Sequence, residues 1–572
     1  MASAAPVFNQ WLDDFFASYY RRRPVNATFI GEHGYDDQLP DFSENGLADC
    51  VADMRSLLGR LDALQEPLTP TEWLDRTVAE GFLRIQLWEY QADHFFRRNP
   101  SFYAGEAVFG VISLLLTPFA PLHERLVAVS ARLSAIPEFL RQAQANLRTA
   151  SSAAPRAWTE RAIRECDGSL ALYREGIDQL LADEGTDDAQ LRAACSAAAE
   201  RAAEATAEFR AYLRDELLKR PDESTRSTAA CGGEAFGLLM RQGHFLELSG
   251  SEIVEYAENA LAEANAYLAA HAKDFGAASM DEALAQLADI HPAAGCYYAR
   301  YGELWEACRA AALENRLLTW PDFPIEYAPR PAWARGAAPH LYFLFYRSPA
   351  AFHRPPVHRY LVAPLEEAAT PAEREAFLAA NNDSVIKLNH VVHHGGIGHH
   401  IQNWHAYRAE SRIGRIAAVD CASRIAMFAA GTMAEGWACY ATDLMAETGF
   451  LTLLEAYAEH QTRRRMSARA IVDVKLHSGE FTLDQAAAFY ESRAGMSPGA
   501  ARGEAVKNSM FPGAAMMYLF GADMIHDLRR DLSALQGSDF NLAAFHDRFL
   551  SYGSLPVSLI AAAMRREVAH GG

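Results

Sequence analysis

"NHVVHHGGIGHH", residues 389–400, places five of the chain's 20 histidines around three glycines, and His405 follows closely. Imidazoles packed this densely serve metal binding or proton transfer, because the ring can act as a neutral ligand or exchange a proton near neutral pH. Residues on an α-helix turn by about 100° each, so His390 and His394 share a face, whereas His393 and His400 align only on an unbroken helix. Gly395, Gly396 and Gly398 are poor helix formers. The pattern predicts a helix ending near His394, a kink through the glycines and a new turn carrying His399 and His400. Adjacent residues on a regular helix point apart. Neither His393 with His394 nor His399 with His400 is therefore expected to supply two ligands from one turn.

Two histidines need a further ligand to hold an ion. "GTMAEGWACYATDLMAE", residues 431–447, reads as a helix, with Glu435 in an otherwise uncharged stretch that runs to Thr442. A carboxylate there wants a cationic partner. Two histidines and a glutamate on a later helix form a known zinc ligand set.

With these residues the chain resembles the bacterial family called domain of unknown function 885, which is similar to zinc peptidases of the glutamate-ligand kind. The family pattern H-E-A-x-P-G-H-H, then E-G-W-A-x-Y-A, is matched by the histidine cluster and by "EGWACYATDLM". "PVNATFIGEHGYDDQLPDFS", "IVDVKLHSGEFTLDQA" and "MFPGAAMMYLFG" extend the resemblance nearly end to end. It implies His393, His399 and Glu435 as ligands of a divalent metal ion, zinc before iron or manganese. It also puts His477 and Tyr518 beside substrate.

Five positions depart from the family pattern, one of them Ile397 in place of the family's proline. The glutamate after the first histidine, a general base for water, is His394 here. The family's Arg-Tyr pair is Lys507 and Asn508, and the Gln of P-G-Q-A is Ala514. His394 can take over as base, since an imidazole titrates near 6.5. His400, Lys507 and Asn508 remain candidates for contact with substrate or support of the ligands. The expected activity is hydrolysis of an amide or peptide-like bond in a small molecule or short peptide. The alternatives are a non-hydrolytic metal enzyme, such as a lyase or an oxidative enzyme, and a catalytically inactive metal- or peptide-binding relative.

The elements that must hold these residues read as helices. Residues 72–96, 186–216, 251–273 and 281–290 carry apolar positions at three-to-four spacing among Ala, Glu, Arg and Leu. The exception is 321–364, which holds nine of the 25 prolines. Proline this dense excludes long helices. A small sheet is expected there, with "LYFLFYR", residues 341–347, as a strand. The fold class is mainly α. The resemblance adds two lobes flanking a deep channel. A polar connection at 218–237 suggests an N-terminal helical lobe at 1–230 and a metal-binding lobe at 231–572, with a soft boundary.

The chain has 572 residues and a net charge of −20. Such acidity disfavours nucleic acid and anionic membranes. No 18-residue apolar run suggests a membrane span. The N-terminal stretch lacks the basic start and apolar core of a secretory signal. The eight cysteines are scattered without a CxxC pair, as expected of reduced cytoplasmic thiols. The partners expected are the small substrate and, for assembly, a second copy in a homodimer. No nucleophile elbow, phosphate-binding loop or dinucleotide fingerprint is present.

Overall fold

The computed structural model describes residues 7–92, 94–150, 154–184, 187–220, 229–341, 350–417 and 431–570. They are mainly helical, with one small two-stranded sheet. The helices start where the sequence can satisfy their first free N–H groups. Thr69 and Glu72 form a reciprocal cap on the Pro70–Gln91 helix, and Ser249 and Glu252 do the same for Gly250–His271. Asp188 caps Ala189–Tyr212. The expected segment at 281–290 is shorter, a helix at Met280–Ala285 followed by a 3₁₀ turn at Gln286–Asp289.

The largest core runs from Phe8 to Met564, so residues on both sides of position 230 share it. Trp158, in the N-terminal half, donates its indole N–H to Ser509 Oγ at 2.8 Å. No described helix is long and apolar enough to cross a membrane.

The sheet lies inside the proline-rich window. Strand β1 (Ile325–Pro329) pairs in parallel with β2 (His358–Val362), with Tyr327 opposite Tyr360. The strand expected at 341–347 lies outside the described residues apart from Leu341.

Six helices build the region of interest: α1 (Val385–Gly395), α2 (His399–Ala406), α3 (Gly431–Glu447), α4 (Leu453–His477), α5 (Pro498–Met510) and α6 (Met517–Gln536). Gly436 of α3 lies back to back with Gly521 of α6. A methyl at either position would meet the other helix's backbone, so the glycine of "EGWA" sets how closely α3 approaches α6.

The run of arginines at 463–465 is not uniformly solvated. Arg464 is buried and donates to Arg493 O, Arg463 pairs with Asp523 at 2.8 Å, and Arg465 is exposed.

Candidate metal centre

The kink between the histidines is a built feature. Helix α1 is wound as a π-helix and ends at Gly395. The Gly396 N–H donates to Val391 O at 2.6 Å and the Gly398 N–H to Val392 O at 2.9 Å, after which α2 restarts at His399. Three aromatic side chains pin this turn. The Tyr327 hydroxyl donates to His390 O at 3.0 Å, Trp305 Nε1–H to Gly395 O at 2.8 Å, and Trp437 Nε1–H to Ile397 O at 2.9 Å. The Tyr360 hydroxyl lies 2.7 Å from His390 Nδ1, so both strands brace the end of α1.

Gly398 is the tightest point. A Cβ there would collide with the carbonyl of His393 and crowd that of Val392. Gly398→Ala is therefore expected to cost about 1–3 kcal/mol of stability, the usual range for overpacking. It should also weaken metal binding, because the turn that sets the two rings must open. Thermal melts with chelator, followed by zinc titration, check both effects.

This turn brings His393 and His399 onto Glu435. The Glu435 Oε2 faces His393 Nε2 at 3.3 Å and His399 Nε2 at 3.7 Å. The oxygen is buried and has no well-formed hydrogen bond among the described residues. Ligand atoms around one tetrahedral zinc ion stand about 3.3 Å apart, so these three fit a shared ion. Burial pushes the His393 imidazole down toward its neutral form, which a ligand must have. Against the cost of burial, the facing rings of His393 and His399 hold the Glu435 carboxyl well below the usual carboxylate range. The Gln402 Oε1 lies 3.3 Å from His399 Nδ1 and can accept its proton, which leaves Nε2 for the ion.

His394 departs from the regular-helix expectation. Its ring does not point away from its neighbour. The ring centroids of His393 and His394 are 4.7 Å apart, and those of His394 and His399 are 5.3 Å apart. One nitrogen from each of the three rings lies within 4.8 Å of the others. The cause is the winding of α1, whose i→i+5 bonds turn the chain less per residue than an α-helix does. His394 Nδ1 lies 2.7 Å from Asn389 O. A carbonyl only accepts, so Nδ1 carries the proton and Nε2 is the basic atom. Burial drives the ring well below its ordinary pKa, with the neighbouring rings acting the same way.

These groups line a cavity of about 1060 Å³, room for a short peptide. Lys507, Asn508 and Tyr518 also face it. Asn508 is committed to the Tyr490 hydroxyl, to which its amide donates at 2.5 Å. The Tyr518 ring lies under the Arg469 guanidinium, 4.7 Å from centroid to carbon. Burial, with Glu435 second, drives the Tyr518 phenol far above its ordinary range, so it remains a proton donor.

Two expected site residues sit elsewhere. His477 is fully buried outside the cavity wall and donates from Nε2 to Asn508 O at 3.0 Å. It lies 3.7 Å from Asp473, whose carboxylate accepts the N–H groups of Gly513, Ala515 and Met516. The pair locks the turn that leads into Tyr518, which is a positioning role. His400 is also fully buried, stacked on Phe323 at 4.4 Å, with Nε2 donating to Phe323 O at 2.8 Å. Both residues face core on a neighbouring element, which their position in the sequence could not show.

The cavity wall holds groups that the sequence reading passed over. Arg469 pairs with Glu504 at 2.8 Å. Burial, with Asp443 next, pushes the Glu459 carboxyl up to about 8. The signal for Arg469 was present: it lies eight residues before His477, on the same helix as a matched family segment.

The chain matches the model of the family described as "Bacterial protein of unknown function (DUF885)" over residues 24–564. It belongs to that family. Two solved structures share its fold. One is a candidate lipoprotein of unknown function from Shewanella oneidensis, 22% identical, with a TM-score of 0.76, covering 98% of this chain and 100% of its own. The other is a candidate lipoprotein from Colwellia psychrerythraea, 16% identical, with a TM-score of 0.77 and coverage of 98% and 99%. No curated protein matches this DUF885 chain significantly.

Proposed function

We propose that this DUF885 protein is a divalent-metal-dependent hydrolase, with zinc as the ion, acting on an amide or peptide-like bond of a small substrate. One observation carries the reading. A buried carboxylate oxygen of Glu435 lacks a hydrogen bond among the described residues and faces two imidazole nitrogens at 3.3 and 3.7 Å, in the wall of a peptide-sized cavity. His393, His399 and Glu435 would hold the ion. When bound, the ion supplies a Lewis acid that polarises a carbonyl and makes water easier to deprotonate.

The other groups have roles their surroundings support. Nε2 of His394 accepts the proton of the attacking water, with Nδ1 anchored on Asn389 O. The Tyr518 hydroxyl donates a hydrogen bond to the carbonyl oxygen as charge develops on it. His477 and Asp473 hold the backbone that carries Tyr518. Two lobes flanking a channel, and a cytoplasmic setting, belong to the same proposal. The described cysteines all carry free thiols. The competing setting is the cell envelope, since the two similar structures are of candidate lipoproteins.

The test is a panel of N-acetylated short peptides and small amides, assayed before and after chelation and after return of zinc, manganese or ferrous iron. Turnover is expected to fall by about 100-fold or more on chelation and to return with one ion. Metal uptake without turnover on any substrate would favour the second reading. In that reading the third imidazole, His394, joins the ligands and redirects the site to non-hydrolytic chemistry with iron or manganese, or leaves it inactive.

A further inference from the structure

The cavity also carries a positive charge that the centre does not use. Lys507 lines it from α5, and its ammonium makes no ion pair or hydrogen bond with the described residues. Arg469 reaches the same wall from α4 and is paired with Glu504 at 2.8 Å. Against the cost of burial, Arg469 and then Lys507 pull the Glu504 carboxyl down to about 2, so this acid is ionised. Arg161, whose charge also reaches Lys507, is matched by Glu165 at 2.8 Å. Glu504 is thus paired with Arg469 and Glu435 faces the two histidines, which leaves Lys507 as a cation with no partner of its own among the described residues.

We propose that Lys507, backed by Arg469 and Glu504, is a subsite for a single carboxylate of the substrate, such as the C-terminal carboxylate of a short peptide. One uncompensated charge suits a monoanion better than a phosphate dianion. Arg469 has its fork partly committed to Glu504 and stacks on Tyr518, so it fixes the wall, while Lys507 on its flexible stem makes the contact. Burial also lowers the Lys507 pKa, and an arriving carboxylate would offset that desolvation cost. Lys507 lines the same cavity as His393, His399 and Glu435, so the subsite and the candidate metal centre share one chamber. The substrate would then be held by its acid end, with the bond to be cleaved near that end.

The subsite lies in the cavity of the proposed hydrolase and rests on that reading for its role, but binding alone tests it. Acetyl-trialanine with a free carboxylate, and the same peptide as its C-terminal amide, are titrated calorimetrically into wild type, Lys507→Met, Lys507→Arg and His393→Ala. Wild type is expected to prefer the acid by about 10- to 100-fold, the worth of a hydrogen bond to a charged group. Lys507→Met should lose the preference and Lys507→Arg should keep it. His393→Ala should also keep it, even where metal uptake is lost. Equal binding of acid and amide to wild type, or no binding of either at millimolar concentration, overturns the subsite. So does a preference that survives in a folded Lys507→Met, and a melt of each variant verifies folding. If wild type takes up no ion yet still prefers the acid, the hydrolase reading fails and the subsite stands.

Discussion

Glu435→Gln should lose stoichiometric metal binding and melt no lower than wild type when both are held in chelator. The carboxylate's Oε2 is buried and has no hydrogen bond among the described residues, and two imidazole nitrogens face it. A neutral amide keeps the shape but offers the ion a much weaker donor. Losing one of three ligands should cost more than the roughly 100-fold that loss of a neighbour supporting a ligand costs. Without an ion, the same change removes a desolvated charge, so the apoprotein gains or holds stability. With zinc present the order reverses. An ion binding only the folded state adds about 4 kcal/mol at a thousand times its dissociation constant, and only wild type collects it. Elemental analysis and paired melts, with chelator and with zinc, read both halves. A Glu435→Gln protein that still holds one ion per chain would mean that the carboxylate is not a ligand.

His394→Ala should lower kcat about 100- to 10,000-fold on whichever amide the wild type cleaves, with KM little changed and metal content intact. Metal content separates this outcome from its rival. Nδ1 is tied to Asn389 O, which leaves Nε2 as the basic atom of the ring. As base, that atom would take the proton of a water held beside the ion. His394→Glu restores the residue type of the DUF885 pattern and should retain more activity than His394→Ala. If His394→Ala loses the ion as well as the rate, the third imidazole is a ligand, and the base must be found elsewhere.

Much of this centre could be read in the sequence because local rules decide it. Three glycines in four residues announced the break between α1 and α2. Glu435 stood out as the one charged residue in 431–442, the first three turns of α3. What stayed hidden depends on distant contacts. The π-winding that turns His394 toward its neighbour ends where Tyr327 and Trp305 hold the chain, both from segments far away in sequence. His477 and His400 looked like site residues by type, yet each gives its proton to a carbonyl in the core. Lys507 was a candidate for substrate contact by its place in the family pattern, but only the fold shows that α5 carries it to the cavity wall. The mainly helical class was legible throughout. The small sheet was placed in the right window, but its described strands are Ile325–Pro329 and His358–Val362.

The most direct test is a crystal structure of the purified protein with anomalous scattering recorded across the zinc, iron and manganese edges. A single peak within bonding distance of His393 Nε2, His399 Nε2 and a Glu435 carboxylate oxygen is the predicted result. Absence of any transition-metal peak there, or a Glu435 carboxylate turned away from both rings, would contradict it.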